Sequence, residues 1–103
     1  MAIYDSIHES RLDILEQFQA QIQAVDLRDD QVFRDIMRQT EHLLEMSDRE
    51  IADALSVSRP TINRWMNGRN LPYPAMRKAT VEWIRRQVSA RIKRLQPRIW
   101  AAV

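Results

Sequence analysis

Apolar residues recur every three or four positions along most of the chain, and short polar breaks separate these stretches. This spacing is typical of amphipathic helices, whereas the alternation expected of β-strands does not occur. We therefore predict an all-α protein. The predicted helices cover about 6–24, 30–45, 48–55, 59–67 and 74–96.

The stretch SDREIADALSVSRPTINRWMNGRN, which begins at Ser47, predicts two short helices joined by a tight turn. Ser47 and Glu50 have the spacing of a capping box, in which each side chain accepts a hydrogen bond from the other residue's backbone N–H. Ser58 is placed to cap the second helix, and Pro60 lies in its first turn, where a missing N–H is tolerated. Gly68, the only glycine, follows that helix, where a left-handed residue commonly ends a helix. A second capping box, at Ser6, predicts the start of the first helix.

Charge is distributed unevenly, although the net charge is only +2. Residues 1–46 contain four arginines and ten acidic residues, which gives −6. Residues 47–103 contain twelve lysines and arginines and four acidic residues, which gives +8. This asymmetry indicates that the second half faces a polyanion such as nucleic acid, with the acidic half held away from it.

Composition excludes several functional classes. The absence of cysteine removes disulfide frameworks, thiolate metal sites and cysteine nucleophiles. His8 and His42 have no second ligand at metal spacing, and one glycine cannot build a phosphate-binding loop, so we expect no metal, no cofactor and no enzymatic activity. No stretch approaches the roughly 20 apolar residues of a membrane span, which favours a cytoplasmic protein.

The helix pair resembles the helix-turn-helix of the phage repressor and Cro (XRE-type) family of DNA-binding proteins. Ala52 matches the small residue at which the two helices cross. Val57 and Ile62 match the buried residues after the turn, and Trp65 matches the bulky residue late in the recognition helix. The resemblance covers about 32–71 and implies a lambda-repressor-like helix-turn-helix bundle. The implied organisation is an amphipathic N-terminal helix for dimerisation or partner binding (1–28), the DNA-binding core (29–73) and a long basic C-terminal helix with its tail (74–103).

Two residues depart from the pattern of this family. Ser56 occupies the turn position where glycine is usual, and a non-glycine residue in the left-handed conformation costs on the order of 1 kcal/mol. Asp48 stands where the family often has a glutamine that contacts phosphate. Since a carboxylate repels phosphate, that contact is not carried over.

The resemblance implies that the helix 59–67 enters the major groove of double-stranded DNA. In this motif the first residues of the recognition helix face base edges, and an arginine there can donate two hydrogen bonds to guanine. Thr61 has the alternative role of capping its own helix. The positions implied to read bases are Arg59, Pro60, Thr61, Asn63 and Arg64.

Donors that flank the groove are expected at phosphates. Arg77 and Lys78 open the last helix, and for both a plain solvent-facing role is an equal alternative. The basic residues further along fit a solvated face, additional electrostatic attraction to DNA, or a partner for the acidic half. They are Arg85, Arg86, Arg91, Lys93, Arg94 and Arg98. The implied phosphate-binding residues are Ser47, Arg49, Asn67, Arg69, Asn70, Arg77 and Lys78.

The first helix and the distal half of the last have apolar stripes beyond what such a bundle needs, and these stripes must be buried. They can be buried against each other within one chain or across a dimer. Because DNA sites for this motif are usually two-fold symmetric, we favour a homodimer. Heptad-like spacing assigns its interface to Val81, Ile84, Val88, Ile92 and Leu95.

The predicted function is therefore a sequence-specific, dimeric transcriptional regulator of prokaryotic or phage type, acting as a repressor. One alternative is an antitoxin or antiactivator whose acidic N-terminal segment binds a protein partner. Another is an adaptor similar to a phage terminase small subunit.

Overall fold

The amphipathic stretches form helices in the computed structural model, which describes residues 2–96 and the side chains of residues 10–96. The predicted tail beyond Gln96 lies outside the described residues. Within 2–96 the all-α prediction is confirmed, and none of these helices has the length and apolar character needed to cross a membrane. The helices are α1 (Ala2–Gln23), α2 (Asp30–Leu43), α3 (Asp48–Leu55), α4 (Arg59–Met66) and α5 (Pro74–Leu95).

Capping hydrogen bonds begin the two short helices where the sequence predicted. The Glu50 N–H donates to Ser47 Oγ at 3.1 Å, and the Ser47 N–H donates to Glu50 Oε1 at 3.2 Å, which completes the capping box of α3. Ser58 Oγ accepts a hydrogen bond from the Thr61 N–H at 3.1 Å and caps α4. The start predicted at Ser6 is wrong, because α1 begins at Ala2, the second residue of the chain, and Ser6 lies within the helix.

Residues in the left-handed conformation follow both short helices. Ser56 has φ 58° and ψ 39°, so a serine adopts the conformation for which glycine is better suited. The N–H of Val57 then donates to the carbonyl of Ala52 at 3.0 Å, a carbonyl at the end of α3 that also accepts a hydrogen bond from the Ser56 N–H. Gly68 has φ 74°, as predicted for a residue just beyond α4.

One hydrophobic core contains residues from all five helices. In the middle of the chain, α4 packs against both α3 and α2. Phe33 on α2 and Trp65 on α4 meet edge to face, with ring centroids 6.0 Å apart. Trp65 and Ala52 are both buried. The fully buried aliphatic residues of this core are Ile36, Met37, Ile51, Ile62, Ile84 and Val88.

The two long helices pack antiparallel to each other. The end of α1, at Ile22, shares a surface concavity with Val81 near the start of α5. Gln19 Nε2 donates to Ser89 Oγ at 2.7 Å midway along the pair. The helical spacing along α1 places Ile14 with the apolar residues Leu15 and Phe18. Ile14 is nevertheless 47% exposed, so it does not belong to the buried stripe.

The dimer interface assigned to the apolar stripe of α5 is corrected by this packing. Val81, Ile84, Val88 and Ile92 are buried within the single chain, and Leu95 packs against the same core. The stripe has heptad-like spacing because two long helices of one chain pack along each other. Since that spacing serves contacts within a chain as well as between chains, it did not identify the partner.

Candidate nucleic-acid interface

Helix α4 has one buried and one exposed face. Its eight residues make just over two turns, so residues three and four apart share a face. Ile62, Trp65 and Met66 point into the core. Arg59, Pro60, Asn63 and Arg64, which were predicted to read bases, are all exposed.

These four residues lie together rather than scattered along the helix. They line one open surface concavity of about 380 Å³, and Asp48 of α3 forms part of its wall. The concavity therefore presents two guanidinium groups, an amide and an apolar ring to solvent, beside one carboxylate. Such a set can donate hydrogen bonds to acceptors on an extended ligand and make one apolar contact.

Thr61, the fifth residue predicted to read bases, is instead occupied within the protein. Its Oγ1 is 2.7 Å from Ser58 Oγ, and Arg64 Nη2 donates to it at 3.3 Å. Thr61 is half-buried and does not line the concavity. This geometry favours its alternative role in capping the helix, and it also orients the Arg64 side chain.

The residues after α4 divide into one that completes the helix and two that face solvent. Asn67 Nδ2 donates to the carbonyl of Asn63 at 2.9 Å, so its side chain serves the helix end. The backbone N–H of Arg69 donates to the carbonyl of Arg64 at 2.7 Å. Arg69 and Asn70 are exposed, and Asn70 has φ 46°, which turns the chain away from α4.

Arg77 was predicted to contact phosphate, and the structure shows a different role. The side chain is buried, with Nε donating to the carbonyl of Pro72 at 2.7 Å and Nη1 to that of Leu27 at 2.9 Å. Nη2 forms an ion pair with Asp30 at 2.8 Å, and the guanidinium lies 5.7 Å from the ring centroid of Phe33. With three of its donors engaged, Arg77 joins the start of α5 to the start of α2, so the predicted phosphate contact is wrong.

The remaining residues predicted at phosphates are accessible. Ser47, Arg49 and Lys78 are exposed. The hydroxyl oxygen of Ser47 accepts the capping hydrogen bond, but its own hydrogen remains free to donate. Arg49 and Lys78 form no ion pair within the described part of the chain.

Two arginines of α2, which the sequence analysis did not assign to the site, contact the end of α4. Arg38 Nε donates to the carbonyl of Met66 at 2.7 Å. The Cδ of Arg34 lies 3.3 Å from the position that a Cβ on Gly68 would occupy. Their four-residue separation, which puts both on one face of a helix, was the only signal in the sequence.

The carboxyl groups of Glu41 on α2 and Asp48 on α3 interact beside the concavity. The hydrogen bond between them, the burial of Glu41 and the charge of Asp48 together raise the pKa of Glu41 to about 7. Glu41 Oε2 is buried and has no hydrogen-bond partner. Below about pH 7 Glu41 is therefore protonated and neutral, which reduces the negative charge beside Asp48 at the wall of the concavity.

The raised pKa of Glu41 predicts that the stability of the protein depends on pH. The pKa of Glu41 rises from an ordinary value of 4.5 to about 7 on folding, so the folded state binds more protons in that interval. The free energy of unfolding should therefore decrease as the pH rises from 5 to 8. Glutamine at position 41 stays neutral at every pH. The unfolding free energy of Glu41→Gln relative to that of the wild type should therefore increase over the same pH range.

Urea unfolding of both proteins at several pH values measures this difference. Since all other titrating groups are common to the two proteins, the difference isolates Glu41. If the difference in unfolding free energy between Glu41→Gln and the wild type stays constant from pH 5 to pH 8, the pKa of Glu41 is not raised on folding.

Comparison of the chain with models of known families, with characterised proteins and with solved structures gave no match in any of the three. Within the described residues, no group of three or more His, Asp or Glu side chains is placed to hold a metal ion.

Proposed function

We propose that this chain is a sequence-specific, double-stranded DNA-binding protein of the helix-turn-helix class that acts as a transcriptional regulator. The observation that carries the proposal is the exposed face of α4, where Arg59, Pro60, Asn63 and Arg64 line one concavity while the opposite face is anchored in the core. An α-helix fits the major groove of B-DNA, which is about 12 Å wide.

The local geometry suits α4 to the role of a recognition helix. It is joined to α3 by residues 56–58, and Val57 in this turn packs against the core. The buried residues of α4 fix its orientation, so its exposed face is presented as a rigid unit. Rigid presentation favours sequence discrimination because a misplaced hydrogen-bond donor leaves a base edge unsatisfied.

Within this proposal, Arg59 and Arg64 read bases. Each guanidinium can donate two hydrogen bonds to the O6 and N7 of guanine, which is the commonest specific contact in the major groove. Pro60 offers only apolar contact, for example to a thymine methyl group. Asn63 can pair with adenine or reach the backbone. The wall formed by Asp48 repels phosphate less while the neighbouring Glu41 is protonated and neutral.

Phosphate contacts come from both flanks of α4. Ser47 and Arg49 lie at the start of α3, where the helix dipole also favours an anion. Arg69 and Asn70 lie in the exposed segment after α4. Contacts of this kind set the register of the protein on the duplex without reading its sequence.

We further propose that the protein binds as a homodimer and represses transcription by occluding promoter DNA. Two-fold symmetry would place two α4 helices about 34 Å apart, one turn of the double helix. Because the apolar stripe of α5 is buried within the chain, subunit pairing has to use another surface.

Substitution of two arginines tests the division between base and phosphate contacts. Arg64→Ala should cost about 1–3 kcal/mol on a duplex selected from a random pool, relax the preference at one base pair, and leave binding to random DNA nearly intact. Arg69→Ala should weaken binding to both DNAs to the same degree, because it removes a contact that carries no sequence information. Fluorescence anisotropy with both duplexes at one salt concentration measures the four affinities.

Arg85→Ala is the control, since Arg85 lies on α5 beside the end of α1 and forms an ion pair with Glu82. Equal losses on selected and random DNA for Arg64→Ala would reassign this residue to the backbone. A wild-type protein that enriches no sequence from the pool would disprove sequence specificity.

A further inference from the structure

We propose that α2 supplies a phosphate-binding site for the DNA backbone, formed by Arg34 and Arg38 next to Arg69. Neither α2 arginine is among the base-reading or phosphate-binding residues that the sequence predicted. The site rests on the proposed function, and it extends the binding surface from the helix pair α3–α4 to a third helix.

The position of Arg38 is fixed by the end of α4. Its Nε donates to the carbonyl of Met66 at 2.7 Å, while the residue as a whole remains exposed. The two terminal nitrogens make no hydrogen bond within the described residues. One edge of the guanidinium is therefore anchored, and the other is free to donate to a ligand.

Arg34 lies over the glycine that ends α4. Its Cδ and Nη1 are 3.3 Å and 3.7 Å from the position of a Cβ on Gly68, so a side chain at Gly68 would crowd the arginine. Gly68 thus serves two purposes: it adopts the left-handed backbone conformation, and its lack of a side chain leaves space for Arg34 to lie across the loop. The path brings the side chain of Arg34 to the residue that precedes Arg69.

Positive charge at this place is poorly compensated. Arg34 Nε is buried without a hydrogen-bond partner, and the nearest carboxylate oxygen, on Asp35, is 3.7 Å away. Asp35 and Arg34 are partly exposed, with side-chain exposures of 48% and 31%. Arg38 and Arg69 form no ion pair among the described residues. Among these three arginines, only Arg34 has a carboxylate within 4 Å in the described residues, that of Asp35.

The chemistry of guanidinium groups selects phosphate as the ligand. A guanidinium presents parallel N–H groups that match two oxygens of a phosphate, and such charge-assisted pairs are stronger than neutral hydrogen bonds. When a recognition helix lies in the major groove, the chain segments at its ends meet the sugar-phosphate backbone. The site lies at the end of α4, so the ligand is a backbone phosphodiester and not a base.

A purely structural role makes a different prediction. Cations near the C-terminus of a helix interact favourably with its dipole, so Arg34 and Arg38 would then stabilise α4 without touching DNA. Their loss would lower the melting temperature and leave the affinity of the folded protein unchanged. Stability and affinity must therefore be measured on the same variants.

The test compares Arg34→Gln with Arg85→Gln, which removes the same charge from the part of α5 beside the end of α1. At about 0.1 M salt, Arg34→Gln should weaken binding to selected and random duplexes alike by about 5–10-fold and reduce the log–log salt slope by about 0.9. Arg85→Gln should change affinity less than about 2-fold, since Arg85 has no assigned DNA contact and its charge is already paired with Glu82. Arg34→Lys, which keeps the charge, should retain more affinity than Arg34→Gln.

The outcomes are distinguishable. Equal affinities for Arg34→Gln and Arg85→Gln, in a wild-type background that binds DNA, would overturn this site and leave the proposed function standing. A lower melting temperature for Arg34→Gln with unchanged affinity would likewise overturn it in favour of the dipole role. Absence of salt-dependent binding by the wild type would overturn the proposed function, and with it this site.

Discussion

Replacement of Val88 by aspartate should unfold the protein rather than separate two subunits. Val88 is fully buried where α5 packs on α1. A carboxylate there has no partner, and removing such a charge from water costs several kcal/mol. A small domain is stable by only about 5–15 kcal/mol. A loss of about 4 kcal/mol or more should therefore leave most of the Val88→Asp protein unfolded at temperatures below the melting temperature of the wild type. Circular dichroism during heating measures this loss.

Ile14→Asp is the matched control, because Ile14 lies on the solvent side of α1 with 47% exposure. The same side chain at that position should change stability by less than about 1 kcal/mol. A folded, helical Val88→Asp protein with half the mass of the wild type would contradict the packing of α5 on α1 and restore the stripe as a dimer interface.

Replacement of Arg77 by methionine should have the second-largest effect on stability. Methionine can occupy the space of the aliphatic part of the side chain, but it cannot donate to the carbonyls of Leu27 and Pro72 or pair with Asp30. Removing one partner from such a network lowers the free energy of unfolding by about 3–5 kcal/mol, because the polar groups that remain lose their hydrogen bonds. Urea unfolding measures the change.

Arg85→Met provides the comparison, since it removes an exposed arginine from the same helix and should cost less than about 1 kcal/mol. If Arg77→Met unfolds like the wild type but binds DNA more weakly, Arg77 contacts phosphate after all and the structural assignment fails.

Local signals were sufficient to predict the ends of the short helices and the face of α4. The capping residues Ser47 and Ser58 act on N–H groups within three positions, so their role is readable from adjacent sequence. The exposed face of α4 follows from the helical repeat once Ile62 and Trp65 are known to be buried. Ser6 shows the limit of such signals, because the same sequence pattern lies inside α1 and not at its start.

Contacts between distant parts of the chain were not predictable. The stripe on α5 has a period that predicts a helix, but a period does not identify the partner against which it packs. Arg77 was assigned to solvent or phosphate because an arginine in a first helical turn is usually exposed. Its burial depends on the carbonyl of Leu27, which is 50 positions away in the sequence. The contacts of Arg34 and Arg38 with the end of α4 likewise span about 30 positions.

The salt dependence of wild-type binding to a duplex tests the central claim most directly. The phosphate-binding charges assigned to one subunit are Arg34, Arg38, Arg49, Arg69 and Lys78, so the plot of log affinity against log salt should have a slope of about −4.5 for each subunit bound. The affinity of one subunit for its half-site should then fall about 500-fold between about 50 and 200 mM salt, because each phosphate contact releases condensed counterions. Binding that is absent, or that has a slope near zero, would contradict the proposal that this protein binds DNA.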